Sequence, residues 1–265
     1  MRHSDDIRLH VTKQGPDHGP VLLLIHGFPD SGFSFSRILP LLPSNLRVVA
    51  PDLRGFGESD RPASGYSMTD LALDVLTLLD DLQVPSATVL GHSMGSFVAR
   101  RTAEIAPSRV DALVLVGSAA TPRNDVVRSL ARVVESFGDP IDPAFVREFQ
   151  LSTMFRAVPE AFFDRLIAES LKVPARVWKA VLAGLWAYEI PQEPPRCPTY
   201  VIGGAEDAVF SRAEQEALGA LIPGATLRII DGLGHCPQWE DPELFTTLLR
   251  EIPFSHGASV RQAVS

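Results

Sequence analysis

The pentapeptide GHSMG, from Gly91 to Gly95, constrains the fold of this chain more than any other feature of its sequence. It directly follows the apolar run 87–90 and precedes residues 96–100, whose pattern predicts a helix. A Gly-x-Ser-x-Gly sequence between a strand and a helix makes a sharp turn, and glycine at both flanks lets the strand and the helix approach closely. We therefore expect Ser93 to have strained backbone angles and to present its hydroxyl above a sheet, as a nucleophile.

Short apolar runs alternate with amphipathic stretches along most of the chain, which is typical of a parallel sheet flanked by helices. Most of these runs are almost continuously apolar, as expected for strands that are buried on both faces. They lie at residues 21–25, 48–50, 87–90, 113–116, 199–202 and 227–230, and the alternating segment 7–11 is a candidate edge strand. The pattern predicts an α/β fold with a mostly parallel, doubly wound sheet built from residues 1–120 and 191–254.

Two stretches between these runs carry apolar residues at helical spacing. The first extends from Leu71 to Leu82, and Ser67 and Asp70 stand just before it in the arrangement of a capping box. The second occupies residues 244–252 and follows Asp-Pro-Glu, a favourable helix start. Both stretches predict helices that pack on the sheet, and we assign them no chemistry.

Residues 121–190 break this alternation, because they show helical patterning interrupted by prolines and no convincing strand. We interpret this segment as a helical cap inserted between two strands of the sheet. Its large aromatic side chains include Trp178, Trp186 and Tyr188, which are candidate walls of a substrate pocket. Residues 255–265 are small and polar, and we predict a flexible tail there.

The bulk composition argues against several classes of protein. A formal net charge of -8, without any run rich in Lys or Arg, disfavours a nucleic-acid-binding surface. The apolar run 21–25 is far too short to span a membrane, and no secretory signal is visible. The two cysteines, Cys197 and Cys236, do not make a disulfide framework. We therefore predict a cytoplasmic protein in which both are buried or half-buried thiols.

Several motifs follow one another in register. They are HGFPDS from His26, PDLRGFGESDRP from Pro51, GHSMG from Gly91, GGAEDAVF from Gly203 and GHCPQWEDP from Gly234. With them, the chain from residue 21 to residue 252 resembles a cap-bearing member of the α/β-hydrolase superfamily. The resemblance implies an α/β-hydrolase fold and a catalytic triad in the chain order Ser, acid, His.

The hydroxyl of Ser93 needs a base to take its proton, and the base needs an acid to orient it. The order Ser, acid, His places both of these residues after Ser93 in the chain. Asp207 follows the run 199–202, where a loop at the carboxyl end of a strand faces the site. Glu206 beside it and Asp125 further away are competing acids, since some members place the acid after the preceding strand. His235 follows the next strand and is the expected base.

The choice of His235 among the seven histidines rests on their surroundings. His26 and His92 are each part of a tight loop. His235 stands alone on a Gly-rich loop in the right chain order. The remaining histidines lie in the polar N-terminal region or in the tail, at positions 3, 10, 18 and 256.

The oxyanion that forms when Ser93 attacks a carbonyl needs hydrogen-bond donors. By position in the motifs, these are the backbone N–H groups of Phe28 and Met94, because the residue after the nucleophile is a standard donor. The Phe28 side chain is a further candidate for the pocket wall. Pro29 has no N–H of its own and stiffens the loop.

The residue types at the site narrow the choice of activity. Haloalkane dehalogenases and epoxide hydrolases of this superfamily need a carboxylate nucleophile, whereas position 93 is Ser, and the segment 121–190 has a single tyrosine, Tyr188. Neither HExxH nor a cluster of His and Asp typical of metal-dependent lactonases occurs, so no metal or cofactor is implied. We expect a serine hydrolase of small carboxylic esters or lactones with a mostly apolar group.

Other activities use the same triad and stay open. They are hydrolysis of acyl-homoserine lactones or enol-lactones, C–C bond hydrolysis of ring-cleavage products, and cofactor-free perhydrolysis. A ligand receptor of slow turnover, on a hydrolase scaffold with an intact triad, is an alternative from a different class. Fold-level similarity alone does not separate these activities.

Overall fold

The centre of the molecule is a twisted sheet of buried strands, seen in a computed structural model that describes residues 7–254. The predicted tail at 255–265 lies outside the described residues. Within the described range the sheet has seven strands: β1 (Val11–Gln14), β2 (Val21–Ile25), β3 (Arg47–Pro51), β4 (Ala87–His92), β5 (Val110–Val116), β6 (Thr199–Gly204) and β7 (Thr226–Ile230). Their spatial order is β1-β3-β2-β4-β5-β6-β7, and all neighbours are parallel except β1 and β3. The predicted α/β fold with a mostly parallel sheet is confirmed.

Both faces of the sheet are covered, which explains why the strands are apolar at consecutive positions. In β2, Leu23 and Ile25 pack into the core on one face, and Leu22 and Leu24 pack into a second core on the other face. All four side chains are fully buried. The sheet is therefore doubly wound, and its chemistry is confined to the loops at strand ends.

Five helices belong to the sheet layers or to the loops beside them. They are α1 (Met68–Asp81), α2 (Met94–Ile105), α7 (Arg212–Leu221), α8 (Pro237–Glu240) and α9 (Pro242–Leu249). The capping box expected at α1 is present, because the side chains of Ser67 and Asp70 each accept the other residue's backbone N–H. Asp241 caps α9 by accepting the N–H of Leu244.

Residues 121–190, called the inserted segment below, cross from β5 to β6 as helices. These are α3 (Asp125–Val134), α4 (Pro143–Ser152), α5 (Glu160–Leu171) and α6 (Ala175–Trp186). The expected absence of strands holds for every residue of this segment. Its division from the core as a cap domain stays a prediction.

The N-terminal edge strand differs from the expected position. The alternating pattern at 7–11 predicts a strand there, whereas β1 begins at Val11 and pairs antiparallel with β3, Val11 lying opposite Pro51. Residues 7–10 instead make loop contacts, such as the His10 Nδ1 to Asp52 Oδ2 hydrogen bond of 3.0 Å. Alternation alone does not define where an exposed edge strand starts to pair.

Candidate active site

Ser93 lies at the turn between β4 and α2 with strained backbone angles. Its φ of 52° and ψ of -119° are unfavourable for a residue with a side chain. A Cβ on Gly91 would approach the carbonyl oxygen of Gly95 to 2.2 Å, and one on Gly95 would approach that of Ile25 to 2.3 Å. Both flanking glycines are thus required by the close approach of strand and helix, as the motif predicts.

His235 and Asp207 meet from two different loops. His235 Nδ1 lies 2.9 Å from Asp207 Oδ2, and both side chains are buried. The second oxygen of Asp207 accepts the N–H groups of Val209 and Phe210 at 2.7 Å and 2.9 Å. The carboxylate is therefore held in place and accepts a hydrogen bond from Nδ1–H, which leaves the other ring nitrogen of His235 available to take a proton.

The competing acids do not reach this histidine. Glu206 is exposed, and Asp125 is an exposed residue that pairs with Arg128 at the start of α3. Neither carboxylate hydrogen-bonds an imidazole among the described residues. The geometry thus favours Asp207 over both alternatives.

His26 and His92 are committed to loop structure. The Nε2 atom of His26 accepts the N–H of Leu53 at 3.0 Å, so its Nδ1 donates to the carbonyl of Gly27. His92 Nε2 donates to the carbonyl of His235 at 3.1 Å. Burial lowers the pKa of His92 well below its ordinary value, so this ring stays neutral.

The backbone N–H groups of Phe28 and Met94 belong to the turn after β2 and to the start of α2, directly after Ser93. Met94 is the first residue of α2, so its N–H has no acceptor within the helix. Phe28 follows β2 in the turn closed by the hydrogen bond from Asp30 N–H to Gly27 C=O, at 3.0 Å. Within residues 7–254, neither N–H is used in a hydrogen bond.

A cavity of about 260 Å³ brings these groups together. Ser93, Met94, Phe28 and His235 all line it. Much of the rest of the wall comes from apolar side chains of the inserted segment: Val126, Val127, Leu130, Phe149, Leu182 and Leu185. Such a cavity suits a small molecule with a hydrocarbon part and one reactive polar group.

The aromatic side chains expected at the pocket wall lie elsewhere, apart from Phe28. Trp178 is fully buried behind Phe28, with their ring centroids 4.7 Å apart. Tyr188 is buried against Phe97 at 5.1 Å, and Trp186 is half-buried outside the cavity lining. These residues pack the inserted segment onto the core. The prediction that they line the pocket was wrong because helical periodicity indicates which residues are buried, and not what they are buried against.

Glu240 organises the loop of His235, a role that the sequence did not indicate. Its carboxylate accepts the N–H of Gly234 at 2.9 Å and that of Cys236 at 3.4 Å, on either side of the histidine. It also accepts the N–H groups of Phe155 and Arg156 from the inserted segment, at 3.2 Å and 2.8 Å. One buried carboxylate therefore joins the histidine loop to the link between α4 and α5. The Glu in GHCPQWEDP was the available signal.

Cys236 lines the cavity beside His235 without being a competing nucleophile. Burial, together with the nearby carboxyl of Asp30, raises the pKa of the Cys236 thiol well above its ordinary value. The thiol is therefore protonated at neutral pH. Its sulfur lies 3.7 Å from Thr153 Oγ1.

The part of the chain that the structure describes contains neither a metal-binding cluster nor a membrane-spanning helix. Between residues 7 and 254, no group of three or more His, Cys, Asp or Glu side chains is placed to hold a metal ion. In the same range no helix combines the length and the apolar character needed to cross a membrane.

Comparison with known proteins identifies the family of this chain and several similar proteins. The model of the alpha/beta hydrolase fold family matches residues 20–242. A thermophilic esterase from Thermogutta terrifontis is 29% identical with a TM-score of 0.77, and the alignment covers 92% of each chain. Est816, described as an N-acyl homoserine lactone degrading enzyme, is 28% identical with a TM-score of 0.74, covering 95% of this chain and 99% of that one. Epoxide hydrolase A of Mycobacterium tuberculosis is 25% identical over 94% of this chain and 95% of its own.

The chain belongs to the α/β-hydrolase fold family, since the family model matches most of its length. Within this family it is similar to esterases, lactonases and epoxide hydrolases. The protein is accordingly a hydrolase by family.

Proposed function

We propose that this protein is a serine hydrolase that cleaves carboxylic esters or lactones through an acyl-enzyme on Ser93. The observation that carries the proposal is the cavity that Ser93, on its strained turn, shares with His235, whose Nδ1 is held by Asp207. A strained serine, an oriented imidazole and a held carboxylate are the parts that nucleophilic acyl transfer needs. The similarity to an esterase and to a lactone-degrading enzyme supports the same class.

Each residue has a defined step in this mechanism. Ser93 Oγ attacks the carbonyl carbon while His235 takes its proton, and the N–H groups of Phe28 and Met94 hold the resulting oxyanion. The ester C–O bond breaks, and His235 returns the proton to the leaving oxygen. A water then attacks the acyl-enzyme, again losing a proton to His235, which restores Ser93 and releases the acid. Asp207 stabilises the imidazolium form of His235 throughout.

We do not propose epoxide hydrolysis for this chain, although epoxide hydrolases are among its relatives. That reaction in this superfamily needs a carboxylate nucleophile, and Ser93 occupies the position. The single tyrosine of the inserted segment, Tyr188, is buried and does not line the cavity, so it does not hold an epoxide oxygen there.

Steady-state hydrolysis of a short panel tests the proposal. The panel is p-nitrophenyl acetate, butyrate and octanoate together with an N-acyl-homoserine lactone, each with the wild type and with Ser93→Ala. We expect sustained turnover of at least one substrate that Ser93→Ala reduces by a factor of about 10⁴ or more. Ser211→Ala, at the exposed start of α7, is the matched control and should match the wild type.

Two outcomes would contradict the proposal. Equal turnover by Ser93→Ala would remove Ser93 from the chemistry. One equivalent of product followed by no further release would indicate a ligand receptor rather than an enzyme.

A further inference from the structure

Asp30 and Gln150 form a buried polar pair in the wall of the otherwise largely apolar cavity. Asp30 lies on the loop after β2, and Gln150 lies on α4 of the inserted segment. Both residues are 1% exposed, and both line the cavity. Gln150 Nε2 donates to Asp30 Oδ1 at 2.9 Å. The pair has no part in the proposed acyl transfer.

The hydrogen bonds of this pair leave two oxygens for a ligand. Gln150 Nε2 also donates to Ser170 Oγ at 2.9 Å, and that hydroxyl donates its own proton to the carbonyl of Leu166. Both amide protons of Gln150 are therefore used, which fixes the orientation of its side-chain amide. Among the described residues, Gln150 Oε1 and Asp30 Oδ2 have no hydrogen-bond partner.

The buried surroundings of this pair shift the ionisation of Asp30. Burial raises the pKa of Asp30 to about 7, although the hydrogen bond from Gln150 and the nearby His235 both act to lower it. No cation forms a salt bridge with Asp30 within residues 7–254. Both free oxygens are open to the cavity rather than fully buried. A ligand that displaces water from the cavity must therefore supply their hydrogen bonds or leave them desolvated.

A purely structural role explains only half of this arrangement. The contact between Nε2 and Oδ1 joins the core to the inserted segment, and an Asn at position 30 would make it equally well. This structural contact does not explain why Asp30 Oδ2 and Gln150 Oε1 are left in the cavity wall without a partner. Asp30 stands two residues after Phe28, in the turn closed by the hydrogen bond from Asp30 N–H to Gly27 C=O, and both residues line the cavity. A ligand group that meets Asp30 therefore belongs to the part of the substrate near the scissile carbonyl.

We propose that Asp30 and Gln150 form a hydrogen-bonding subsite that selects esters or lactones carrying a hydroxyl or amide N–H near the scissile carbonyl. This proposal rests on the proposed ester and lactone hydrolysis at Ser93. A substrate hydroxyl or amide N–H donates to Gln150 Oε1. A hydroxyl oxygen also accepts the proton that Asp30 carries on Oδ2 when its carboxyl is protonated, and the hydrocarbon part contacts the apolar wall. Plain acyl groups leave both oxygens without partners and are disfavoured.

The test compares substrates that differ by one hydroxyl. They are p-nitrophenyl 3-hydroxybutyrate against p-nitrophenyl butyrate, and α-hydroxy-γ-butyrolactone against γ-butyrolactone. We expect the wild type to have a kcat/KM about tenfold or more higher for the hydroxylated member of at least one pair, the value of one hydrogen bond to a partly charged group. Asp30→Leu should reduce that ratio about tenfold.

A second variant covers the chance that Asp30→Leu alone does not fold. The double variant Asp30→Leu/Gln150→Met replaces both partners by apolar side chains of similar size, which leaves no unpaired group between them. It should show the same loss of selectivity, whereas Asp125→Asn on the exposed start of α3 should keep the wild-type ratio. A ratio near one in the wild type, or an unchanged ratio in folded variants, would overturn the subsite.

A binding measurement separates the subsite from the proposed function. Ser93→Ala is titrated calorimetrically with 3-hydroxybutyramide and with butyramide. Tighter binding of the hydroxylated amide by about tenfold supports the subsite even if the wild type hydrolyses none of the esters. Equal affinities overturn it even if Ser93-dependent hydrolysis is observed.

Discussion

The two sides of the cavity are built in different ways. On the core side, Ser93 and His235 line the cavity from loops at the carboxyl ends of β4 and β7. Asp207, which hydrogen-bonds His235 from outside the cavity lining, follows β6. On the opposite side, α3, α4 and α6 of the inserted segment contribute mainly apolar side chains and Gln150. The sheet therefore places the chemistry in a framework defined by strand order, whereas the inserted helices shape the space that a substrate occupies. We therefore expect changes to Ser93, Asp207 and His235 to alter rate, and changes to the inserted side and to Asp30, which contacts it, to alter selectivity.

The largest effect is expected from Asp207, on the core side. Asp207→Asn keeps the shape of the acid but removes the negative charge that stabilises the His235 imidazolium and fixes the tautomer of the ring, so we expect kcat to fall about 10⁴-fold. Glu206→Gln, the exposed neighbour, is the control and should stay within about twofold. Steady-state assays with p-nitrophenyl butyrate measure both. A small loss for Asp207→Asn, or a large one for Glu206→Gln, would reassign the acid.

A second prediction concerns Asp30, where the core side meets the inserted segment. Because its pKa is raised to about 7, the folded protein holds a proton on Asp30 between about pH 4 and 7 that the unfolded chain has lost. Wild-type stability therefore falls as pH rises through this window, and Asp30→Asn removes the fall. The free energy of unfolding of Asp30→Asn minus that of the wild type should therefore increase by up to about 4 kcal/mol as the pH rises from 4 to 8.

Urea denaturation at a series of pH values measures this difference. Asp60→Asn, a partly exposed carboxylate outside the cavity, serves as the matched control. A difference between Asp30→Asn and the wild type that does not change with pH would show that Asp30 is ionised throughout.

Glu240 joins the two sides, so its removal should affect both. Glu240→Ala leaves the N–H groups of Gly234, Phe155 and Arg156 without their acceptor, and the His235 loop loses its anchor. We expect kcat to fall about 10–100-fold with a smaller change in KM, since small displacements of a base are costly. Glu240→Gln should restore part of the loss because its amide oxygen still accepts. A fall in melting temperature with unchanged kcat would contradict a positioning role.

The smallest effect is expected on the inserted side. Leu130→Trp adds volume to the half-buried wall of the cavity and should reduce the octanoate to butyrate ratio of kcat/KM about tenfold, with butyrate turnover little altered. Val133→Trp on the same helix points away from the cavity lining and is the control. If both variants leave the chain-length preference unchanged, the inserted segment does not set it.

The core side of the cavity was predictable from the sequence, whereas the contacts made by the inserted helices were not. The central strands and the turn at Ser93 were predictable, because fully buried strands and a glycine-flanked turn leave local signals. The meeting of His235 with Asp207 follows from parallel strand order, which carries both to one edge of the sheet. The Asp30–Gln150 contact joins residues 120 positions apart and depends on how α4 packs, which periodicity does not encode. The burial of Trp178 away from the cavity has the same cause.

The most direct test of the account is to locate the covalent intermediate. The protein is mixed with p-nitrophenyl butyrate, quenched in acid during the first turnovers, digested and examined by mass spectrometry, using Asp207→Asn as well as the wild type to slow deacylation. If Ser93 is the nucleophile, one butyryl group is found on the peptide that contains Ser93, and none is found in Ser93→Ala. Turnover without an adduct, or an adduct on another residue such as Cys236, would contradict it.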